Sequence, residues 1–425
     1  MSKGIYSADE INAIDEAKLF ELVESRPLTV GIDAAKHKPY ARFRDDETEE
    51  VLATIHWHQP TDTHRFLDLL ERAPSASIAL VLESSGTYGD ALLHCARQRG
   101  LEVFRVRTQA VNRMAEVFDS VPSLHDAKAA DIVGRLHQMG LSDPWEPAGE
   151  LERRLQAVLA SYQDANRQLS AVASKLEALL ARHWPELCEV LALRTVSAMK
   201  LLQSKPAPAL VGSDPDGTRR LLEQASRHRL SDDKIQLVIS MASATTGASA
   251  LAEEKARIKR LAQRLEQEYR DKRRLEDQIS EIIDGHDTIE RIAEVVGEVT
   301  AAVIVSKLGS PQAYDSAAAY EKAAGLNLSE RSSGKTADDP SLCLSKRGPS
   351  VVRAFLYLAA LRQINQCPIF KAWHSKKKAR DGGESLKSVC ALMRKLIRGL
   401  YHVGRGDTWK PAKLFDLATL GLDAP

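Results

Sequence analysis

The chain has 425 residues, enough for two or three domains with cores of their own. Its 44% apolar and 28% charged residues are those of a soluble globular protein, and its five cysteines are scattered with no C-x-x-C pair, which argues against a zinc site or a disulfide framework and suits a reducing cytoplasm. The formal net charge of +1 hides an asymmetry, because residues 371–413 carry about twelve Lys and Arg against about three Asp and Glu.

The opening stretch, MSKGIYSADEINAIDEAK, is polar and lacks the apolar core of a signal peptide. From there the first 140 residues alternate strand and helix patterns. LTVGIDAA (28–35) is an apolar, β-branched run, YARFRD (40–45) and VLATIHWHQ (51–59) alternate, and THRFLDLLERA has helical spacing. ASIALVLES (76–84) is continuously apolar, as a strand buried on both faces would be. A helix over 88–98 stops at Gly100, EVFRVR (102–107) is a further strand, and helices follow near 109–118 and 125–139. Three strands, then helix, strand, helix, strand, helix, is the order of an α/β ribonuclease-H-like fold.

A helical middle comes next. Leu151, Leu155, Val158, Tyr162, Ala165, Leu169, Val172, Leu176 and Leu179 alternate spacings of four and three, and Ile258, Leu261, Leu265, Leu275, Ile279 and Ile282 keep heptad register with Glu268 and Lys272 at polar core positions. Two coiled-coil helices are expected, packed on each other or on another subunit. A plain helical bundle would give the same pattern. SKPAPALVGSDPDG (204–217) marks a turn or linker between them. The last third is mostly α-helical. ERIAEVVGEVTAAVIVSKLG resembles a helix–hairpin–helix, whose turn at Gly297 would offer backbone N–H groups to phosphates. The expected domains are therefore 1–145, 146–285 and 286–425. No apolar run approaches the ~20 residues that span a bilayer.

Carboxylates suggest the chemistry. Asp33 follows the apolar VGI, where a lone charge is costly, Glu83 ends the buried strand ALVLES, and Asp126 opens the helix HDAKAADIVGRL. In this topology the first and fourth strands are neighbours, so Asp33 and Glu83 reach one sheet edge. Three converging carboxylates repel one another unless a divalent cation such as Mg²⁺ neutralises them, and oxygen ligands so placed can orient a phosphodiester. Ordinary strand-end carboxylates paired with Lys36 and Lys38 are the alternative. The basic C-terminal stretch fits a phosphate-binding surface or a solvated helical face. Trp373, Tyr401 and Trp409, interleaved there, suit base stacking or a core.

VGIDAAKHK, LESSGTYGDALLHCARQRGLEVFRVRTQAVN and HDAKAADIVGRL resemble the RuvC-like DEDD domain of the Piv/MooV family of insertion-sequence transposases, the bridge-RNA-guided serine recombinases. VVGEVTAAVIVSKLG, YEKAAGLNLSERSSGK and LSKRGPSVVRAFLYLAALRQINQCPIFKAWHSKKKARDGG resemble that family's second domain, and 185–250 is the least familiar part. The resemblance implies metal-binding roles for Asp33, Glu83 and Asp126. The family's last helix carries two Asp three apart, whereas here Ala129 follows Asp126 at that spacing and the nearest acid is Asp131. Five residues turn a helix by about 140°, so Asp131 joins the catalytic set only if the helix begins later.

The resemblance also gives a role to the serine pair in ERSSGK. A serine before a glycine in this loop is the family's nucleophile, which makes Ser333 the candidate and Ser332 the reserve. A hydroxyl is a weak nucleophile and needs a base or metal, here expected from the acidic domain of the same or another subunit. Arg331, Lys335, Lys346, Arg347 and Arg353, with Lys376, Lys377 and Lys378 further on, are the expected contacts to nucleic acid. A covalent phosphoserine–DNA intermediate would conserve phosphodiester energy and allow strand exchange without ATP. The implied partners are donor and target DNA, a structured noncoding guide RNA and further copies of the chain, as a dimer and as a tetramer at recombination. The implied location is the cytoplasm, at the nucleoid when bound. Two other readings stay open: a Mg²⁺-dependent, structure-specific endonuclease that uses water, and a non-catalytic nucleic-acid-binding assembly factor.

Overall fold

The computed structural model describes residues 6–83, 86–118, 120–121, 123–331 and 341–422. The chain divides into two compact units, Met1–Ala148 and Gly149–Pro425.

In the first unit the elements run β1 (Asp9–Glu10), α1 (Glu16–Val23), β2 (Pro27–Asp33), β3 (Tyr40–Asp45), β4 (Val51–His56), α2 (Thr63–Arg72), β5 (Ser77–Glu83), α3 (Asp90–Gln98), β6 (Glu102–Val106), α4 (Thr108–Met114), α5 (Asp126–Gln138) and β7 (Ser142–Pro144). They build a mixed sheet in the order β1-β4-β3-β2-β5-β6-β7. The hairpins β2–β3 and β3–β4 are antiparallel, while β2–β5 and β5–β6 are parallel through helical crossovers. This is the ribonuclease-H-like arrangement expected from the sequence. The short β1 and the closing strand β7 were not legible, because two or three residues give no periodicity to read.

Strand alternation divides the sheet's two faces. Leu28, Val30, Ile32, Leu80 and Leu82 pack with Leu19, Phe66, Leu70 and Leu92 in one core. Val81 turns the other way and packs with Val106, Ile132, Val133 and Leu136. The same alternation places Gly31, Asp33 and Glu83 on the α5 side. There the helix comes unusually close: a Cβ on Gly31 would lie 2.2 Å from the Ala130 carbonyl oxygen and 2.6 Å from the Gly134 nitrogen.

The second unit is helical: α6 (Glu150–His183), α7 (Pro185–Val190), α8 (Val196–Ser204), α9 (Pro208–Gly212), α10 (Pro215–Ser226), α11 (Asp232–Ser243), α12 (Ala252–Ile283), α13 (Asp287–Val296), α14 (Glu298–Leu308), α15 (Ala317–Ala323), then a hairpin of β8 (Leu328–Arg331) and β9 (Ser341–Leu344), and α16 (Ser350–Gln366), α17 (Pro368–Arg380), α18 (Ser385–Gly404) and α19 (Leu417–Leu420). The long helices α6 and α12 pack against each other along much of their length. Leu155 and Leu159 share a core with Ile279 and Ile282, whereas Leu176 and Leu180 share another with Ile258 and Leu265, so the pair is antiparallel. The heptad positions are thus filled within one chain. The stretch 204–217, expected as a turn or linker, contains the short helix α9, held by the fully buried Val211. No described helix is long and apolar enough to cross a membrane.

Candidate active site

The acidic edge begins with strand register. Ile32 lies beside Leu82 in the parallel β2–β5 pair, and Asp33 and Glu83 are the next residues, ending their strands side by side. α5 supplies the third acid. Gly31 faces Ala130 and Gly134, and Thr29 lies beside Gly134, so α5 runs antiparallel to β2 and its first turn comes level with Asp33. Asp126, the first residue of α5, is exposed there, where the helix dipole favours a negative charge. The turn before it is fastened by Lys128, which is buried and donates from Nζ to the carbonyls of Val121 (2.6 Å) and Ser123 (3.1 Å), while the His125 ring caps the Lys128 amide.

Burial pushes the Asp33 carboxyl up, to about 6, and the charges of Asp126 and Glu83 push in the same direction. The three acids therefore share one electrostatic field. Among the described residues, no group of three or more His, Cys, Asp or Glu stands close enough to hold a metal ion as placed. The donor set is chemically suited to a hard divalent cation, whose charge would offset the repulsion and desolvation that burden Asp33.

Asp131 does not join these three. It is 3% exposed, and its carboxylate lies 3.0 Å from Arg42 Nε, 2.7 Å from Arg44 Nη1 and 2.9 Å from Arg135 Nε. Arg44 is itself committed on every side, donating to Gln138 Oε1 (3.1 Å) and to the Glu49 carbonyl (2.6 Å) as well as to Asp131. The helix begins at Asp126, so the later start that would have brought Asp131 round does not occur. This arginine cluster was missed from the sequence. The signal available was the alternation of ARFRD, which puts Arg42 and Arg44 on one face of the strand.

In the second unit, the serine segment is flanked by the β8–β9 hairpin, where the sequence suggested only loop. Leu328 pairs with Leu344 and Arg331 with Ser341. Ser332, Ser333 and Lys335 lie outside the described residues. The hairpin base is tightly knit. Gly325 has φ +69°, and a Cβ on it would meet the Gly348 nitrogen at 2.4 Å; Ser345 N donates to the Asn327 carbonyl and Lys346 N to that of Gly325. Arg353 belongs to this base, donating from Nη1 to the Gly348 carbonyl at 2.5 Å. Lys346 and Arg347 are exposed. On α17, Lys376 donates to the Thr419 carbonyl, Lys377 pairs with Asp381 (2.6 Å), and Lys378 is exposed.

Two further expectations are settled by packing. Tyr401 is buried, and Trp373 and Trp409 pack against the same core, so these aromatics serve the interior. The α13–Gly297–α14 turn exists, but its N–H is spent on the Ala293 carbonyl (2.7 Å), and the adjoining cleft is lined by Asp277, Glu281, Asp284, Glu290, Glu294 and Glu298. A phosphate brought to that cleft would meet carboxylates, whereas Arg362, whose guanidinium lies against Gly297, lines the neighbouring cleft.

A ribonuclease-H-like sheet with acids at adjacent strand ends, followed by a largely helical region, is the architecture of a DEDD-type transposase. Residues 30–185 match a family described as Transposase, of the IS110 DEDD type, and residues 291–375 match the Transposase IS116/IS110/IS902 family. The chain is also 23% identical over 360 residues to the Insertion element IS110 uncharacterized 43.6 kDa protein of Streptomyces coelicolor, covering 80% of this chain and 85% of that relative. The chain belongs to the IS110 family of transposases.

Proposed function

We propose that this transposase joins donor and target DNA through a covalent phosphoserine–DNA intermediate, with Mg²⁺ at the acidic edge and a structured noncoding RNA as guide. The observation that carries the catalytic part is the placement of Asp33, Glu83 and Asp126 on the α5 side of the sheet, where each carboxylate raises the cost of ionising Asp33. Asp33, Glu83 and Asp126 would hold the metal, which would supply charge neutralisation and Lewis acidity at a phosphodiester. Asp131 stands apart, and its role in this reading is to hold Arg42 and Arg44 beneath α5.

The family resemblance assigns the attack to Ser333, with Ser332 in reserve. The hydroxyl loses its proton, its oxygen bonds to phosphorus, and one DNA strand leaves as a free hydroxyl; a second strand's hydroxyl then attacks the phosphoserine and releases the serine. Bond energy is conserved through both steps, so no ATP is required. The exposed Lys346 and Arg347, with Arg331, Lys335 and Lys378, are placed here as backbone contacts. Arg353 fastens the base of the β8–β9 hairpin through the Gly348 carbonyl. The guide RNA rests on the resemblance alone. Because the heptads of α6 and α12 are used within the chain, a dimer, or a tetramer at recombination, would form through other surfaces. The proposed setting is cytoplasmic, at the nucleoid when DNA is bound.

Hydrolysis by water is the second reading, favoured by the placement of all three acids in the first unit while the serine pair belongs to the second. The catalytic assignment is tested with the full chain, its element's RNA, labelled donor and target DNA, and Mg²⁺. Asp33→Asn, Glu83→Gln and Asp126→Asn are each expected to abolish strand breakage. Breakage that survives all three would overturn the acidic-edge assignment.

A further inference from the structure

A second, differently charged cleft lies in the least familiar part of the chain. It has a volume of about 750 Å³ and is walled by the segment 190–197 between α7 and α8, the turn between α10 and α11, and Tyr269 and Arg273 of α12. Five of its lining residues are cationic, namely Arg194, Arg227, Arg229, Lys234 and Arg273, and none is acidic. Arg227, Arg229 and Lys234 are exposed and have no ion pair with a described carboxylate; Arg194 donates to Ser170 Oγ (3.2 Å), and Arg273 reaches Glu276 on its own helix at 3.6 Å. The nearby acid Asp232 is turned to Arg219, at 3.7 Å.

The backbone gives an independent sign. Arg227 and His228 are consecutive residues with φ of +52° and +58°, closing α10 through bonds from their amides to the carbonyls of Gln224 and Glu223. Non-glycine residues cost on the order of 1 kcal/mol each in this conformation, and glycine would close the helix without that cost. The chain instead keeps Arg227 and His228 in the turn, and Arg227 and Arg229 line the cleft. Tyr269 of α12 also lines the cleft, half-buried and packed against the neighbouring core.

We propose that this cleft binds the phosphodiester backbone of a nucleic acid, as a site separate from the acidic edge. The unpaired Arg227 and Arg229, at a cleft whose lining holds no carboxylate, match a chain of phosphates, which releases counterions as it enters. Val190, Leu191, Val196 and Leu230 give the cleft apolar surface as well, but every charged residue that lines it is cationic, which favours a polyanion over a protein surface of mixed charge.

The proposal rests on the family assignment only in expecting a nucleic acid, and it is tested in EDTA, so that failure of the metal or serine chemistry does not affect the result. Affinity of the full chain would be measured by fluorescence anisotropy for an oligo-dT strand, a DNA duplex and an RNA hairpin, each across a salt series. R227Q/R229Q is expected to weaken binding by about tenfold near physiological salt and to lower the salt slope by roughly 1.4 to 1.8, the loss of two phosphate contacts. R257Q/K259Q, on the exposed face of α12, is the control and is expected to leave both unchanged. Loss on the RNA hairpin alone would identify RNA as the occupant, loss on either DNA probe alone would identify that DNA, and loss on all three a general backbone site. Unchanged affinity and slope on every probe, with native circular dichroism, would overturn the proposal.

Discussion

Gly31 of β2 lies against Gly134 of α5 so closely that a Cβ on Gly31 would come within 2.6 Å of the Gly134 nitrogen and 2.2 Å of the Ala130 oxygen. Both contacts are with backbone, which cannot rotate away. Gly31→Ala must therefore lift α5 from the sheet and carry Asp126 away from Asp33. The expected outcome is a loss of about 3 kcal/mol or more in urea unfolding, together with loss of DNA breakage. An alanine variant with parental stability would show that this approach does not set the site.

The raised pKa of Asp33 has a consequence for stability. The folded carboxyl titrates near 6 rather than at its ordinary 3.8, so the native state binds the extra proton between those values. Its contribution is present below about pH 4, is lost as the pH rises through 6, and stays lost at neutral pH. Without divalent cations, Asp33→Asn is expected to be more stable than the parent above pH 6, by at most about 3 kcal/mol, and equal to it below pH 4. Mg²⁺ should stabilise the parent and leave the variant unchanged. Thermal unfolding across pH 4–8, with and without Mg²⁺, checks both statements, and a variant no more stable than the parent at pH 7.5 would contradict them.

Asp126 and Asp131 should separate cleanly. Asp131→Asn leaves Arg42 and Arg44 buried without their shared counter-charge, and a loss of about 3–5 kcal/mol is expected. Asp126 is exposed at a helix start, so Asp126→Asn should cost about 1 kcal/mol or less while abolishing breakage. Urea unfolding and a cleavage assay on both variants give the comparison. Equal stability losses would contradict the division of roles.

Much of this was legible in the sequence, and the limits have physical causes. The strands β2, β4 and β5 and the helix α5 carry clear periodicity, and the neighbouring of Asp33 and Glu83 follows from their order. The heptads marked α6 and α12 correctly as long helices, but periodicity cannot say whether a seam meets its own chain or another; here it meets its own. The alternation of ARFRD pairs Arg42 with Arg44, but their meeting with Asp131, about 90 residues on, depends on the tertiary packing of α5 on the sheet. The hairpin flanking the serine segment was hidden by strands of four residues, and only their pairing, from Leu328 with Leu344 to Arg331 with Ser341, reveals it. The acidic lining at the Gly297 turn comes partly from α12, a helix that the local motif does not include.

The central claim, a covalent serine intermediate, is tested most directly by looking for it. The full chain would be incubated with its element's RNA, labelled donor and target DNA, and Mg²⁺, then denatured and run on a gel. The account predicts a protein-linked DNA band that is lost in Ser333→Ala and kept in Ser332→Ala. Free cleaved DNA with no linked band, unchanged by Ser333→Ala, would contradict it and make water the nucleophile.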